Sequence, residues 1–409
     1  MRPRTLVTVG TALAALALPA TDLFAQARRR GRGRTQATPT ATAVAPSGPR
    51  TAVALGVAGD HSCVVTSDHR AFCWGEDAII GLLSPRSSVL GRRDVPTLLA
   101  GSDGASDLFM QGSQVVLRVG EGRLDSYGTW DITALGGRTT HSPEDWATEH
   151  LVREGVDPAR RPIASASGAV LCAIEHGRLR CRGANQFGQL GARVARDASE
   201  PLLDVAGLRD VRGASSGGDT TCAIDAGGLA CWGRGADYAR GDGSVENART
   251  PVRIQLASTP TDVAVSRGGH GCVLTDAGEV FCWGRGREGQ LGVGSLDAAE
   301  RPARVDGVSG ASAIAVGRYH SCAIAGSEGA VWCWGAGSHG QLGDGRAVGS
   351  SVPVRVSGLA HVTRIALGDA HGCAIDTSGQ VWCWGRNEYG NCGMSAGTDQ
   401  TVPAHVALP

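Results

Sequence analysis

One frame constrains this chain more than any other feature: a cysteine on a short apolar run, a turn, and a second cysteine nine to eleven residues on, usually followed by Trp-Gly. Its first cysteine falls at Cys63, Cys172, Cys222, Cys272, Cys322 and Cys373, at intervals of 109, 50, 50, 50 and 51 residues. Apolar residues flank turn formers such as Asp376-Thr377-Ser378-Gly379, so each copy predicts a β-hairpin. A fixed period of this size marks a repeat architecture. The long first interval is two periods with one hairpin concealed in it, Val115 to Gly128, which keeps the pattern without the cysteines. Seven units result, and residues 51 to 409 give about 51 residues to each, the size of a four-stranded propeller blade.

Composition agrees with an all-β chain. Sixty-one glycines against five phenylalanines and three methionines imply many tight turns between short strands. In the last complete unit, Val352 to Val356 and Ile365 to Leu367 are expected to join the two hairpin strands as a four-stranded set. Apolar side chains on both faces suit a blade held between two neighbours. The segment Val402 to Leu408 matches the start of a unit, and Ala52 to His61 matches the middle of one. The C-terminal strand is therefore expected to join the first blade, closing a seven-bladed β-propeller and removing its free edges.

Arg2 and Arg4 precede an apolar run from Leu6 to Leu18, and Ala25-Gln26-Ala27 supplies small residues for cleavage, so residues 1–27 predict an export signal. The apolar run is short for a transmembrane helix, and no cysteine before Cys63 offers a lipid anchor at the cleavage site. Residues 28–50, rich in arginine and then in Thr, Ala and Pro, lack apolar periodicity and are expected to be a flexible linker. Its clustered arginines suit either an anionic surface or plain solvation. All 39 basic residues are arginine, and the formal charge is zero; removing residues 1–27, which carry +1, leaves −1. Neutrality argues against a nucleic-acid or membrane-surface binder. The expected location is periplasmic, cell-surface or extracellular.

Thirteen cysteines in an exported chain point to disulfides. The hairpins pair Cys63 with Cys73, Cys172 with Cys181, Cys222 with Cys231, Cys272 with Cys282, Cys322 with Cys333 and Cys373 with Cys383, because directly opposed residues on antiparallel strands have the separation a disulfide needs. Unit 2 lacks both cysteines together, with Val115 and Ser126 near their places, as paired partners would. Zinc is the rival reading. His61, His270, His320 and His371 each stand two residues before a cysteine, but this supplies three ligands where a structural site takes four. Val170 and Thr220 stand in the histidine place of units 3 and 4, so no metal is expected and the histidines should pack or hydrogen-bond. Cys392 has no partner; it is expected to be a small buried apolar residue, with an intermolecular bridge or a reactive thiol as alternatives.

Together these residues resemble the regulator of chromosome condensation repeats. The resemblance rests on the hairpins ending in Trp-Gly, on Asn185-Gln-Phe-Gly-Gln-Leu-Gly191, on Gly289-Gln-Leu-Gly292 and Gly340-Gln-Leu-Gly343, and on the period over residues 51 to 409. It implies a seven-bladed propeller. It does not choose a function, since the family includes a nuclear guanine-nucleotide exchange factor, eukaryotic signalling modules and a secreted bacterial β-lactamase inhibitor. Units 1, 4 and 7 depart from the Gly-Gln-Leu-Gly loop, with Glu76 to Leu83, Gly235 to Gly241 and Gly390-Asn-Cys-Gly393. No stretch matches the exchange factor's nucleotide-displacing wedge, so exchange activity is not expected.

Residues 129–162 interrupt the pattern and hold Trp130 and Trp146, the two of nine tryptophans outside the hairpins. Ser142-Pro-Glu-Asp145 is a helix-start sequence, Glu149 to Glu154 would continue the helix, and Gly155 would stop it. Trp130, Trp146, His150 and Arg153 are the candidate partner-binding residues; the alternative is that this helix only docks on the ring. Neither a His-Glu-x-x-His helix nor a phosphate-cradling Gly-rich loop before a helix occurs. The expected function is a secreted or cell-surface, non-enzymatic binding scaffold that acts as a monomer without a cofactor. Its partner would be a protein or a cell-envelope polymer. A secreted hydrolase inhibitor is the second reading, and an enzyme with a site assembled from propeller loops is the third.

Overall fold

In the computed structural model, residues 50–76, 92–111, 114–120, 123–128, 149–152, 163–164, 170–192, 194 and 198–409 are described. Their strands form seven antiparallel sheets of four strands each, every sheet built in chain order. Blade 1 comprises β1 (Ala52–Ala58), β2 (His61–Thr66), β3 (Ala71–Glu76) and β4 (Arg92–Leu98). Blades 2 to 7 begin at Ala105, Ile163, Gly213, Pro260, Ala311 and Val362 and end at Val152, Asp204, Arg253, Arg304, Arg355 and Val406. One turn of 3-10 helix, Ala236–Tyr238, is the helical element among the described residues.

Burial follows from position in the sheet. Every residue of the second strands His61–Thr66, Thr220–Asp225, His270–Thr275 and His320–Ala325 is buried, because blades on both sides cover them. Such strands show no polar alternation. The outer strands are half exposed and carry Pro96, Pro251, Pro302, Pro353 and Pro403. A proline on an edge strand interrupts the row of free N–H groups that would otherwise recruit another chain.

The expected hairpins are present, and each of the six cysteine pairs is bridged, with Cα atoms 4.0 to 4.1 Å apart. In each blade the two cysteines face each other directly in the register. The cysteine-free hairpin sharpens one expectation: Val116 and Ser126 hold the two cysteine places and oppose each other, while Val115 opposes Tyr127.

Two other expectations are corrected. The C-terminal strand Gln400–Val406 pairs with Val381–Gly385 in blade 7, so it does not join blade 1, whose fourth strand is Arg92–Leu98. The sequence unit and the blade are offset by one strand. Ser350–Arg355, which opens a unit in sequence, closes blade 6 in space because it pairs with the hairpin that precedes it. Blades 1 and 7 instead meet face to face: Ala52, Val57, Phe72 and Trp74 share one core with Ile375, Val381, Cys392 and Val406. Secondly, Glu149–Val152 is the fourth strand of blade 2, paired with Arg123–Gly128, and not part of a helix. Pairing with an open sheet edge overrides the local helix signal there. Ser142 to Asp145, Trp130, Trp146 and Arg153 lie outside the described residues.

Packing between blades explains the Gly-Gln-Leu-Gly motif. Trp74, Trp232, Trp283, Trp334 and Trp384 are fully buried. Each indole N–H donates to a main-chain carbonyl in the preceding blade: Asn391, Gln189, Ala239, Gln290 and Gln341 respectively, at 2.9 to 3.0 Å. Side-chain amides of Gln189, Gln290, Gln341 and Asn391 meanwhile accept the main-chain N–H two residues earlier and so close the turn that aims the carbonyl. Leu190, Leu291, Leu342 and Cys392 fill the space behind with no exposure. The last glycine must lack a side chain: Gly292 has φ 73°, and a Cβ there would lie 2.7 Å from Trp334.

Candidate functional site

The turn between first and second strands and the loop between third and fourth strands emerge at the same end of a blade. Hydrogen bonds tie them together, from Glu76 N to Asp60 O, Arg234 N to Asp219 O, Arg285 N to Gly269 O, Ala336 N to Tyr319 O and Arg386 N to Ala370 O, at 2.8 to 3.0 Å. This end is termed the upper face. It carries both the loops in which the units differ and a set of arginine–aromatic stacks.

Tyr319, half-buried in the turn of blade 6, has Arg318 over its ring at 5.0 Å and Arg285 of blade 5 at 5.3 Å. Arg386 lies over Tyr389 at 5.4 Å, and Arg234 of blade 4 lies over Phe187 of blade 3 at the same distance. A guanidinium stacked on a ring keeps its N–H edge free to bond while its plane is fixed. Two carboxylates join the blades over this face. Asp369 pairs with Arg267 of blade 5 and with Arg318 of blade 6 at 3.7 Å. Asp60 of blade 1 faces Arg386 of blade 7 at 3.8 Å and accepts from Asn391 Nδ2 at 3.2 Å.

Burial tunes the acids at the rim of this cluster. The Glu76 carboxyl is pushed up by partial burial and by Asp60, against the opposing pull of Arg386. Asp219 is also raised by burial, with Arg234 acting the other way. Arg267 is lowered by burial and by neighbouring Arg318. Asp219 pairs with Arg234 within blade 4, whereas the pair of Arg267 with Asp369 joins blades 5 and 7.

The structure brings the twelve bridged cysteines to one level of the blades, where they staple the hairpins rather than react. His61, His270, His320 and His371 are buried beneath the upper face, in agreement with a packing role. Among the described residues no cluster of three or more His, Cys, Asp or Glu is arranged to hold a metal ion. Cys392 is fully buried and unpaired, and burial first, then Asp399, pushes its thiol well above the usual range. Of the four candidate partner-binding residues, His150 stands in the outer strand of blade 2 opposite Asp125, and the others lie outside the described residues.

The stacks on the upper face escaped sequence reasoning. Arg234, Arg285 and Arg386 each follow the Gly that ends a hairpin, which is a legible recurrence. Phe187 and Tyr389 stand two residues before the Gln or Asn of their loops. What the sequence does not show is that Arg234 and Arg285 reach rings in neighbouring blades.

Comparisons with known proteins agree with this architecture. A family model for the regulator of chromosome condensation (RCC1) repeat matches residues 277–324, 328–375 and 378–409, and a second model of the same repeat matches 261–290, 311–341 and 362–391. The human E3 ubiquitin-protein ligase HERC2 is 33% identical over 268 residues, 63% of this chain and 5% of HERC2. The ultraviolet-B receptor UVR8 of Arabidopsis thaliana is 30% identical over 245 residues, 58% of this chain and 54% of the receptor. The chain thus spans a small part of the first relative and about half of the second. Among solved structures, human WBSCR16 superposes with a TM-score of 0.65 at 21% identity, covering 83% of this chain and 94% of that one. Prp20p from Saccharomyces cerevisiae, described with its binding to Gsp1p and histones, superposes with a TM-score of 0.67 at 18% identity, covering 87% of each. Residues 261–409 of this chain are thus regulator of chromosome condensation (RCC1) repeats, and the same four-stranded blade recurs in every sheet of the described residues.

Proposed function

We propose that this protein is an exported, non-enzymatic binding scaffold that uses its upper face to hold a protein or a cell-envelope polymer. One observation carries the reading: a repeated backbone presents different side chains at equivalent upper-face positions. Phe187, Glu288, His339 and Tyr389 occupy the same place in their loops, each with its main-chain N–H held by the Gln or Asn two residues on. The scaffold is repeated and buried; the presented groups are not. Tyrosine and arginine held in fixed stacks are also the residue types that dominate binding hot spots.

Three further points support the reading. Six disulfides suit an oxidising compartment, in keeping with the export signal expected over residues 1–27. Serine–histidine contacts that would suggest a nucleophile, Ser62 with His371 and Ser321 with His270, are buried at 0% exposure for both serines and sit under the blade packing. Relatives with this propeller include a light receptor and a Gsp1p- and histone-binding protein, which suggests recognition as the shared use of the fold.

The test is capture with disulfide-intact residues 28–409 immobilised and offered secreted proteins and cell-envelope fractions. A stoichiometric partner is expected, and Tyr319→Ala, Tyr389→Ala and Phe187→Ala should each weaken its retention about tenfold or more. Arg355→Ala, at the opposite end of the outer strand of blade 6, should leave it unchanged. Equal retention by all four variants would exclude the upper face. A hydrolase as the retained partner, inhibited on binding, would select the inhibitor reading.

A further inference from the structure

Four histidines hold one structural place in four neighbouring blades: His270 in blade 5, His320 in 6, His371 in 7 and His61 in 1. Each is the first residue of its second strand and is at most 3% exposed. Two of them are bonded across a blade interface. His270 Nε2 lies 3.0 Å from Ser321 Oγ, and His371 Nε2 lies 2.9 Å from Ser62 Oγ. The Ser321 hydroxyl donates to Gln290 O at 2.9 Å, so His270 donates from Nε2, and its Nδ1 is left without a partner. Ser62 repeats the arrangement, with Asn391 O as its acceptor at 3.4 Å and His371 Nδ1 unpartnered. For the other two histidines the next blade supplies no hydroxyl, since Gly372 and Val115 stand in the serine place. His320 has no partner on either ring nitrogen, and His61 has none on Nε2.

Imidazoles placed in this way are held neutral. Burial lowers His61, His270 and His371 to about 3 and His320 to about 4; His320 adds to the effect on His270, and His61, His320 and Arg386 add to it on His371. The charged groups above them are already engaged: Asp60 by Arg386 and Asn391, and Asp369 by Arg267 and Arg318. Arg285 and Arg318 stack on Tyr319, directly before His320. Glu76, at the end of the strand facing His61, has its own charge disfavoured by burial and by Asp60. An imidazolium formed here would meet other histidines and arginines rather than a spare carboxylate.

The interface between blades 7 and 1 is the seam where this matters most, because no segment of chain runs directly from one blade to the other. It is held by Ala52 N to Gly379 O and Asp369 N to Gly59 O, both 2.9 Å, together with the contacts of Ser62, Trp74 and Asn391. We propose that the histidine arc is an acid-operated latch: its protonation loosens blades 5, 6, 7 and 1 from one another, and the seam between blades 7 and 1 opens first. The sign follows from linkage. These groups bind protons more readily in the opened or unfolded chain, so the closed ring has its full stability above pH 6.5 and loses it as the pH falls toward about 4 for His320 and about 3 for the other three. Each histidine contributes about a tenfold loss in the closed-to-open ratio per pH unit in that window.

Hydrogen exchange on the intact, disulfide-bonded chain at pH 7 and pH 5, corrected for intrinsic rates, reads the latch directly. The amides of Ala52 and Asp369 should lose at least about tenfold more protection than that of Val265. Val265 bonds to Ser215 Oγ between blades 4 and 5, where Thr220 stands in the histidine place. In His371→Gln the seam's pH response should flatten by about one proton. Equal loss at all three amides, or an unchanged slope in the variant, would overturn the proposal. Should the variant not fold, imidazole resonances of the unaltered protein decide: titration of the four near pH 6.5 refutes the latch, and persistence of the neutral form to below pH 5 supports it.

Discussion

The indole N–H of Trp74 in blade 1 donates to the main-chain carbonyl of Asn391 in blade 7, 2.9 Å away and 317 residues distant in sequence. The same bond links four other pairs of successive blades, so the ends of the chain are joined by the contact that joins the middle. Replacing Trp74 by Phe keeps most of the apolar volume but removes the donor and leaves a buried carbonyl short of a partner. A loss of about 1–3 kcal/mol is expected in urea unfolding, and Trp334→Phe should behave alike because Gln290 O is used in the same way. A change below about 0.5 kcal/mol in both would show that the tryptophans act by packing alone.

Gly292 and Gly307 separate crowding from backbone strain. Both have positive φ, 73° and 85°, but a Cβ on Gly292 would press on Trp334 at 2.7 Å, whereas nothing lies within 4 Å of one on Gly307. Gly307→Ala should cost about 1–2 kcal/mol from the left-handed conformation, and Gly292→Ala about 1–3 kcal/mol more from overpacking. Equal midpoints in thermal unfolding would contradict the crowding argument.

The six bridges and the lone thiol give a chemical test in one experiment. Alkylation of the native, unreduced protein should label nothing, since Cys392 is buried and its thiol is held protonated. Unfolding without reductant should label one site, and unfolding with reductant all thirteen cysteines of the chain. Each staple closes a loop of about ten residues, worth roughly 2.5–3 kcal/mol in the chain-entropy model and less in a hairpin that is partly formed already. Reduction should therefore lower stability in steps rather than abolish the strands at once.

On the lower face, Asp225 at the turn of blade 4 accepts from the amides of Arg209 and Gly227 at 2.9 and 2.8 Å and from both terminal nitrogens of Arg253 at 2.5 and 2.8 Å. Burial alone would raise this carboxyl, but the Arg253 bonds and the two amides outweigh it and hold it below the usual range. A depressed pKa gives stability that is present above the ordinary carboxylate range and lost as the pH falls below it. Asp225→Asn should cost about 1–3 kcal/mol at pH 7 and reduce the difference in stability between pH 7 and pH 3. An undiminished difference would assign the acid sensitivity to other carboxylates.

How much was legible from the chain depends on how far apart the interacting residues are. Cys373 and Cys383 pair within one hairpin, so their spacing and the turn between them are enough. The apolar pattern of Val352 to Val356 suits the hairpin on either side and by itself points to the one that follows, whereas Ser350–Arg355 pairs with the one that precedes it. Glu149–Val152 carries a helix-like local sequence and becomes a strand by completing the edge of blade 2. In both cases the deciding interaction is a sheet edge that exists only once the blade has formed.

Sequence by itself determined the seven units, the all-β class and the six staples, since each is written in a period or in contacts between near neighbours. Tertiary structure alone decided which strand ends each blade, that blades 1 and 7 meet without exchanging a strand, and that Arg285 stacks on Tyr319 while His371 finds Ser62. Those relations join residues tens to hundreds of positions apart. Such pairs come within reach only when neighbouring blades pack, and the choice among them is made by side-chain shape and hydrogen bonding at the interfaces.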